Sequence, residues 1–300
     1  MNRIATLALA GCCVLAPFAA AAQESDWRKE LGTFRIGIVA PGGSREIAGV
    51  SDIRDAFSAA LGVPVDVFAA RDYLALIDAQ ATGRVDYAAY SALAFVAAVR
   101  HCACVEPLAA PVAADGATGL RAVVLRRAAD DPGDGPDRIA VADAPALGPL
   151  AGLDVAGMPG GPAEVTFETA EQALAAFADG SVTGLAGYVL NGPQGDIDGS
   201  GTMALLSLRG IDPQSVAIAW KGPVMRFGPH AVVTSLNGEA KAILRTFLAG
   251  LAGQRPELLD VLSPTLQGGF QPVQRIDYAT AGEVLDRVLP EAAKKKPAGG

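Results

Sequence analysis

The chain has 300 residues, of which 51% are hydrophobic and 19% are charged, and this composition predicts a folded globular protein with one large or two ordinary domains. Its formal net charge of −8 argues against nucleic acid and anionic membrane surfaces as partners, because both require clustered lysine and arginine.

Residues 1–22 have the pattern of a cleaved signal peptide. Arg3 supplies a positive charge, an apolar run extends from Ile4 to Ala19, and three alanines at 20–22 provide a small-residue cleavage site. A competing interpretation is a lipoprotein signal, since Leu9-Ala-Gly-Cys12 resembles a lipobox. The apolar run continues well past Cys12, so we favour cleavage and expect a periplasmic protein. Residues 291–300 are expected to form a disordered tail.

The segment Arg71–Val99 predicts a helix, a strand and a second helix. Asp72 is placed to cap the first helix and Gly83 to end it, while Val85–Ala89 is a short apolar strand and Ser91 caps the next helix. In a parallel sheet, ligands bind at the carboxyl ends of the strands, where helix amide groups are unpaired. The candidate ligand contacts at this edge are Tyr73, Tyr90 and Ser91.

Strands and helices alternate along the rest of the chain, which predicts an α/β fold with mixed, mainly parallel sheets. Further strands are predicted at Phe34–Val39, Val63–Phe68, Val105–Val112, Leu120–Arg126, Arg138–Ala142, Val182–Tyr188 and Val216–Trp220. One further helix is predicted to end at about Leu61, and others are predicted at Ala170–Phe177, Asn237–Ala252, Pro256–Leu262 and Tyr278–Val288. Residues 191–201 are rich in glycine and allow no assignment.

The segment Thr169–Tyr188 repeats the design of Arg71–Val99, a helix stopped by glycine and then a short strand that ends in tyrosine. This repetition predicts two Rossmann-like lobes joined by two crossings. The first lobe is expected to comprise residues 23–118 and 217–290, with Val216–Trp220 as the returning strand, and the second lobe residues 119–216. A cleft between such lobes is the expected place for a small ligand.

Several short motifs carry a family resemblance. They are Asp72-Tyr73, Gly83-Arg-Val-Asp86, Val112-Ala-Ala-Asp-Gly116, Trp220-Lys-Gly-Pro223, Gly269-Phe270 and Asp277-Tyr278. In order and spacing the chain resembles the periplasmic solute-binding proteins of phosphonate, phosphite and phosphate uptake, which have the type 2 periplasmic binding-protein fold.

The resemblance implies a monomeric receptor, without cofactor or catalytic activity, that captures a small anion and delivers it to an ABC permease in the inner membrane. The ligand-binding residues that it suggests, together with the strand-end candidates, are Ser44, Arg45, Tyr73, Tyr90, Ser91, Asp143, Thr169 and Tyr188. Family members usually carry a run of hydroxyl residues in the second lobe, whereas the corresponding stretch Val141–Gly148 has none.

His101, Cys102 and Cys104 lie within four residues of one another and allow three interpretations. We favour a Cys102–Cys104 disulfide, because an exported protein is expected to be oxidised. A site for a soft ion and a pair of reduced thiols are the alternatives. Some relatives are arsenite sensors, so a second functional hypothesis is a module that presents its bound ligand, arsenite or a soft metal at the two cysteines, to a membrane histidine kinase.

An enzymatic function has little support in the sequence. The chain has two histidines, His101 and His230, and no nucleophile-elbow motif. Arg226 and His230 follow the predicted return crossing, so we expect them as polar groups near the cleft, with an ordinary surface loop as the competing interpretation.

Overall fold

In the computed structural model, residues 26–40, 47, 49–129, 138–142, 147 and 162–288 are described. Several predictions fall outside these residues, namely the signal peptide, the tail at 291–300 and the site candidates Ser44, Arg45 and Asp143.

The strands are β1 (Phe34–Val39), β2 (Val65–Ala70), β3 (Tyr87–Ala89), β4 (Val105–Val112), β5 (Gly119–Arg127), β6 (Arg138–Ala142), β7 (Ala163–Phe167), β8 (Gly184–Gly192), β9 (Gly195–Asp196), β10 (Val216–Arg226), β11 (His230–Val233) and β12 (Gly269–Pro272). The α-helices are α1 (Trp27–Leu31), α2 (Val50–Leu61), α3 (Tyr73–Ala81), α4 (Ala92–Cys102), α5 (Ala170–Asp179), α6 (Thr202–Ser207), α7 (Gly238–Gln254), α8 (Pro256–Leu262) and α9 (Ala279–Val288). Among the described residues, no helix is long and apolar enough to cross a membrane.

Two mixed sheets organise these elements. The first has the order β12-β4-β11-β3-β1-β2, in which β1 pairs in parallel with β2 and β3 while β11 and β12 run antiparallel to their neighbours. The second has the order β10-β5-β8-β6-β7, in which β5 runs antiparallel to both of its neighbours. The predicted two-lobe α/β fold with mixed sheets is confirmed, whereas the expectation of mainly parallel pairing is not met, because four strand pairs are parallel and six are antiparallel among the described residues. We call the first sheet with its helices the first lobe and the second sheet with its helices the second lobe.

The side-chain caps that the sequence predicts are present. A carboxylate oxygen of Asp72 accepts a hydrogen bond from the Ala75 amide at 2.7 Å, which starts α3, and Ser91 caps α4 in the same way. A further cap, which was not predicted, is the reciprocal capping box that Thr169 and Gln172 form at the start of α5. Each cap satisfies amide groups that a helix leaves unpaired, so the helix starts are set by local sequence.

An ion pair fixes β3 beside β1. The Arg35 guanidinium donates to both carboxylate oxygens of Asp86 at 2.9 Å, and also to the Gly83 carbonyl oxygen at 2.7 Å. Asp86 is buried, so the paired, two-pronged geometry compensates for the loss of its hydration. The motif Gly83-Arg-Val-Asp86 thus positions the strand that leads to Tyr90.

One predicted strand was assigned to the wrong lobe. Val216–Trp220 was expected to return the chain to the first lobe, but it is the first half of β10, which pairs antiparallel with β5 along nearly its whole length. This ladder gives β10 its hydrogen-bond partners in the second sheet, so the return crossing comes after Arg226 rather than at residue 216.

The two crossings run side by side. The first follows β4 and the second joins Arg226 to His230, and the Phe227 amide of the second donates to the Thr118 carbonyl oxygen of the first at 3.1 Å. The second crossing also lies against the end of β3, because the Tyr90 amide donates to the Pro229 carbonyl oxygen at 3.0 Å. Gly228 passes so close to Tyr90 that a Cβ there would collide with the Tyr90 carbonyl oxygen.

Candidate functional site

A cleft of about 680 Å³ lies between the two lobes. Its walls include Val39 at the end of β1, Tyr90 just after β3, Tyr188 in the middle of β8 and Arg226 at the end of β10. Both lobes and the second crossing therefore contribute to it. The carboxyl ends of the parallel strands meet at this cleft, as the sequence predicts for a ligand site.

Tyr73 and Tyr188 contribute phenol groups from opposite lobes. Tyr73 opens α3 in the first lobe, and both side chains are partly buried in the cleft wall. Burial raises the pKa of each phenol, so both stay neutral at physiological pH and available as hydrogen-bond donors. Tyr188 is held in place by a hydrogen bond of 3.0 Å from its amide to the Thr202 hydroxyl.

Tyr90 lies in the wall but uses its hydroxyl within the first lobe. The hydroxyl donates to the Gln80 side-chain oxygen at 2.8 Å, and both residues are buried. Burial raises the pKa of Tyr90 well above its ordinary value. Its aromatic ring and backbone, rather than its hydroxyl proton, are therefore the parts that remain for a ligand.

Ser91 also lies in the wall, and its hydroxyl has two partners. The oxygen accepts a hydrogen bond from the Ala94 amide at 3.0 Å, and the hydroxyl donates to the Leu147 carbonyl oxygen. As in any α-helix, the amides of Ala92 and Leu93 have no acceptor in the preceding turn, and both residues line the cleft. The start of α4 is thus the natural position for a negative charge.

The second-lobe candidate Thr169 does not line the cleft. It is exposed and serves as the cap of α5, while its neighbour Ala170 forms part of the wall. The structure brings together Tyr73, Tyr90, Ser91 and Tyr188, and leaves Thr169 at the edge.

Arg226 and His230 both lie in the wall, as expected from their position after β10. His230 is buried rather than part of a surface loop, because it opens β11, and its Nδ1 is hydrogen-bonded to the Tyr87 hydroxyl. Burial lowers the pKa of His230 to about 3, so it is neutral at physiological pH. Within the described part of the chain Arg226 has no ion-pair partner, and its buried Nε has no hydrogen-bond acceptor.

Sequence reasoning missed the segment Leu262–Leu266, which closes part of the first-lobe side of the cleft after α8. Its pattern of one proline and two hydroxyl residues is that of any surface turn, so no local signal marks it as a cleft wall.

Residues 38–278 match the family model of the periplasmic substrate-binding protein of the phosphonate ABC transporter. The chain belongs to this family. This binding-protein family is periplasmic and serves transport rather than catalysis. No curated protein matches the sequence.

Solved structures of binding proteins share the fold. A Xanthomonas citri protein bound to chloride is 13% identical, with a TM-score of 0.61 over 86% of this chain and 98% of that one. A binding component of an ABC phosphonate transporter from Pseudomonas aeruginosa is 20% identical, with a TM-score of 0.56 over 89% and 90%. PhnD1 of Prochlorococcus marinus in complex with methylphosphonate is 14% identical, with a TM-score of 0.54 over 86% and 98%. The sensory alternative finds no support in these comparisons.

Cys102 and Cys104 of this binding protein lie away from the cleft. Their sulfur atoms are bonded at 2.06 Å across Ala103, which ends α4 in a left-handed conformation. Ser91 and the cleft are at the opposite end of that helix, and neither cysteine lines the cleft. Among the residues that the structure describes, no group of three or more His, Cys, Asp or Glu side chains is arranged to hold a metal ion.

Proposed function

We propose that this protein binds a small anion of the phosphonate or phosphate type in the cleft between its lobes and delivers it to an ABC permease of the inner membrane. The observation that carries the proposal is the cleft itself, which is open to solvent and is built from both lobes and from the crossing between them. A ligand held by both walls favours the closed arrangement of the lobes, which is the form a permease would recognise.

The proposed contacts follow from the wall. The phenols of Tyr73 and Tyr188 reach the ligand from opposite lobes, the ring of Tyr90 packs against it, and the amides after Ser91 face its negative charge. Ser44, Arg45 and Asp143 complete the proposed set, from which Thr169 is left out because it does not line the cleft. The methylphosphonate complex of PhnD1 supports an anion of this class.

The proposal also includes export through removal of residues 1–22, action as a monomer, and no enzymatic activity. His230 supports the last point, because it is buried, neutral and hydrogen-bonded to Tyr87 and therefore poorly placed to transfer protons in the cleft.

Isothermal titration calorimetry with methylphosphonate, phosphite and phosphate tests the proposal. We expect saturable binding of at least one of these anions, and a loss of about three- to tenfold in affinity for Tyr73→Phe and for Tyr188→Phe, since each removes one hydrogen bond. Ser207→Ala is the matched control, because it removes an exposed hydroxyl that does not line the cleft. Absence of binding for every anion at millimolar concentration would contradict the proposal.

A further inference from the structure

Within the part of the chain that the structure describes, Arg226 is an unpaired charge in an otherwise neutral cleft wall. Among the described residues that line the cleft it is the single side chain with a formal charge at neutral pH, since His230 is neutral and no aspartate or glutamate is present there. Its Nε is buried without an acceptor. Arg226 is partly buried, and a guanidinium whose Nε is shielded from water without an acceptor is unfavourable, so an anionic group that enters the cleft gains a partner already in place.

Three of the six hydroxyls that line the described wall are already engaged within the protein. The Ser91 hydroxyl bonds Leu147, the Tyr90 hydroxyl bonds Gln80, and the Ser263 hydroxyl donates to the Leu266 carbonyl oxygen at 3.1 Å. An inorganic tetrahedral oxyanion needs donors around all of its oxygens to replace its hydration. The donors that remain in the described wall are the phenols of Tyr73 and Tyr188, the Thr265 hydroxyl, the first amides of α4 and Arg226, so they can hold one anionic head but leave the rest of the cleft surface without donors.

The remaining surface of the cleft is apolar. It is formed in large part by Ile38, Val39, Leu120, Leu190, Leu262 and Leu266. Apolar surface of this extent contributes nothing to the binding of an inorganic ion, but it stabilises a ligand that carries hydrocarbon groups.

We propose that the cleft selects an organic anion, whose carboxylate, sulfonate or phosphonate head pairs with Arg226 and whose apolar body packs against the leucine-rich wall. The inference rests on the proposed function, because it concerns the same cleft, and it narrows the ligand from small anions in general to anions with an apolar body. The planar guanidinium offers two parallel donors to any of these heads. The charge of Arg226 therefore sets the orientation of the ligand, and the apolar wall sets the size of the ligand's apolar body.

Calorimetry with matched ligands tests this inference. The probes are butanoate and hexanoate, hexylsulfonate and hexylphosphonate, uncharged 1-hexanol, and inorganic phosphate. We expect at least one six-carbon anion to bind more tightly than phosphate, hexanol to bind weakly, and affinity to rise by about fourfold per methylene between the two carboxylates. The six-carbon ligand that binds most tightly identifies which acidic group, carboxylate, sulfonate or phosphonate, the cleft prefers.

Variants of Arg226 complete the test. Arg226→Gln is expected to weaken binding of the best anion by about 10- to 100-fold, with Arg226→Lys intermediate and the affinity for hexanol unchanged. Arg209→Gln is the matched control, since Arg209 pairs with Glu171 at 2.9 Å on the exposed face of the second lobe. Thermal unfolding of each ligand-free variant shows whether it is folded, and the ligand series on the wild-type protein tests the inference independently of the variants.

The outcomes separate the two proposals. Tight binding of phosphate with no gain from an alkyl chain, or equal affinities for wild-type and Arg226→Gln protein, would overturn the inference and leave the proposed function intact. Absence of binding for all organic and inorganic anions would overturn both.

Discussion

The hydroxyl of Ser91 donates a hydrogen bond to the carbonyl oxygen of Leu147 and thereby joins the two lobes across the cleft. Ser91 caps α4 in the first lobe, whereas Leu147 follows β6 in the second lobe and has a left-handed backbone, with φ of 67°. Leu147 is buried in the same hydrophobic cluster as first-lobe residues such as Leu93. A single hydroxyl therefore serves both a helix start and a contact between lobes.

Replacement of Ser91 by alanine should open the lobes as well as destabilise α4. Loss of the cap is expected to lower the free energy of unfolding by about 1 kcal/mol. Thr169→Ala removes the comparable cap of α5, which has no partner in the first lobe among the described residues, and serves as the control. Small-angle X-ray scattering should show a larger radius of gyration for Ser91→Ala than for Thr169→Ala. Equal values would mean that the Ser91–Leu147 bond does not hold the lobes together.

Gly228 is expected to tolerate no side chain. A Cβ at this position would collide with the Tyr90 carbonyl oxygen, which is backbone and cannot move without displacing the end of β3. We predict that Gly228→Ala lowers the free energy of unfolding by more than about 2 kcal/mol, in the range of strained packing changes.

Gly253→Ala is the control, because we expect it to raise the free energy of unfolding, whereas Gly228→Ala lowers it. Gly253 lies in α7 with open space around its Cβ position, so alanine there should raise stability by about 0.5 kcal/mol through higher helix propensity. Urea unfolding of both variants measures the difference. If Gly228→Ala were as stable as the wild-type protein, the second crossing would have to be mobile enough to move away from Tyr90.

The parts of the fold that depend on neighbouring residues were predictable from sequence. Asp72 and Ser91 start their helices, and Gly180 ends α5 with φ of 87°, because caps act within one helical turn. The strand Val105–Val112 was also predicted with its observed ends, since a mostly apolar stretch follows the end of α4 and stops before the turn residues Asp115 and Gly116.

The parts that depend on distant pairing were not predictable. β11 has four residues and is defined by its ladders with β3 and β4, and β10 belongs to the second sheet because of β5. The same applies to the site. Tyr90 was predicted as a ligand contact, but its hydroxyl donates a hydrogen bond to the side chain of Gln80, ten residues earlier in the sequence. Arg226 has no ion-pair partner among the described residues, and this depends on which distant residues the fold places near it.

The buried His230 should make the protein less stable in weak acid. Burial lowers the pKa of His230 from 6.5 to about 3 in the folded protein, so between these values the unfolded chain binds a proton that the folded chain does not. The free energy of unfolding should therefore fall as the pH decreases from about 6.5 towards 3, by up to about 1.4 kcal/mol per pH unit.

A double variant isolates this effect. His230→Phe combined with Tyr87→Phe removes the titrating group together with its hydrogen-bond partner, and should flatten the profile of unfolding free energy between about pH 6.5 and about pH 4.5. Asp196 affects the stability only at lower pH. Burial alone would raise its pKa, but hydrogen bonds from Lys221, Asn191 and Arg121 outweigh the effect of burial and lower the pKa to about 2. Its contribution is lost only as the pH falls from 3.8 towards 2. An unchanged profile in the double variant would exclude His230 as the source.

Replacing both Cys102 and Cys104 with serine should leave ligand binding intact. α4 has 11 residues and is therefore about 16 Å long, so Cys102 is separated by that distance from the start of the helix that faces the cleft. The bridge closes a loop of three residues, and the loop-entropy relation assigns it a contribution of about 1.5 kcal/mol to stability. We expect a modest decrease in melting temperature and an affinity within about twofold of the wild-type value for the best-binding anion. A large loss of affinity in a variant that still unfolds cooperatively would show that the Cys102–Cys104 bridge is coupled to the cleft through α4.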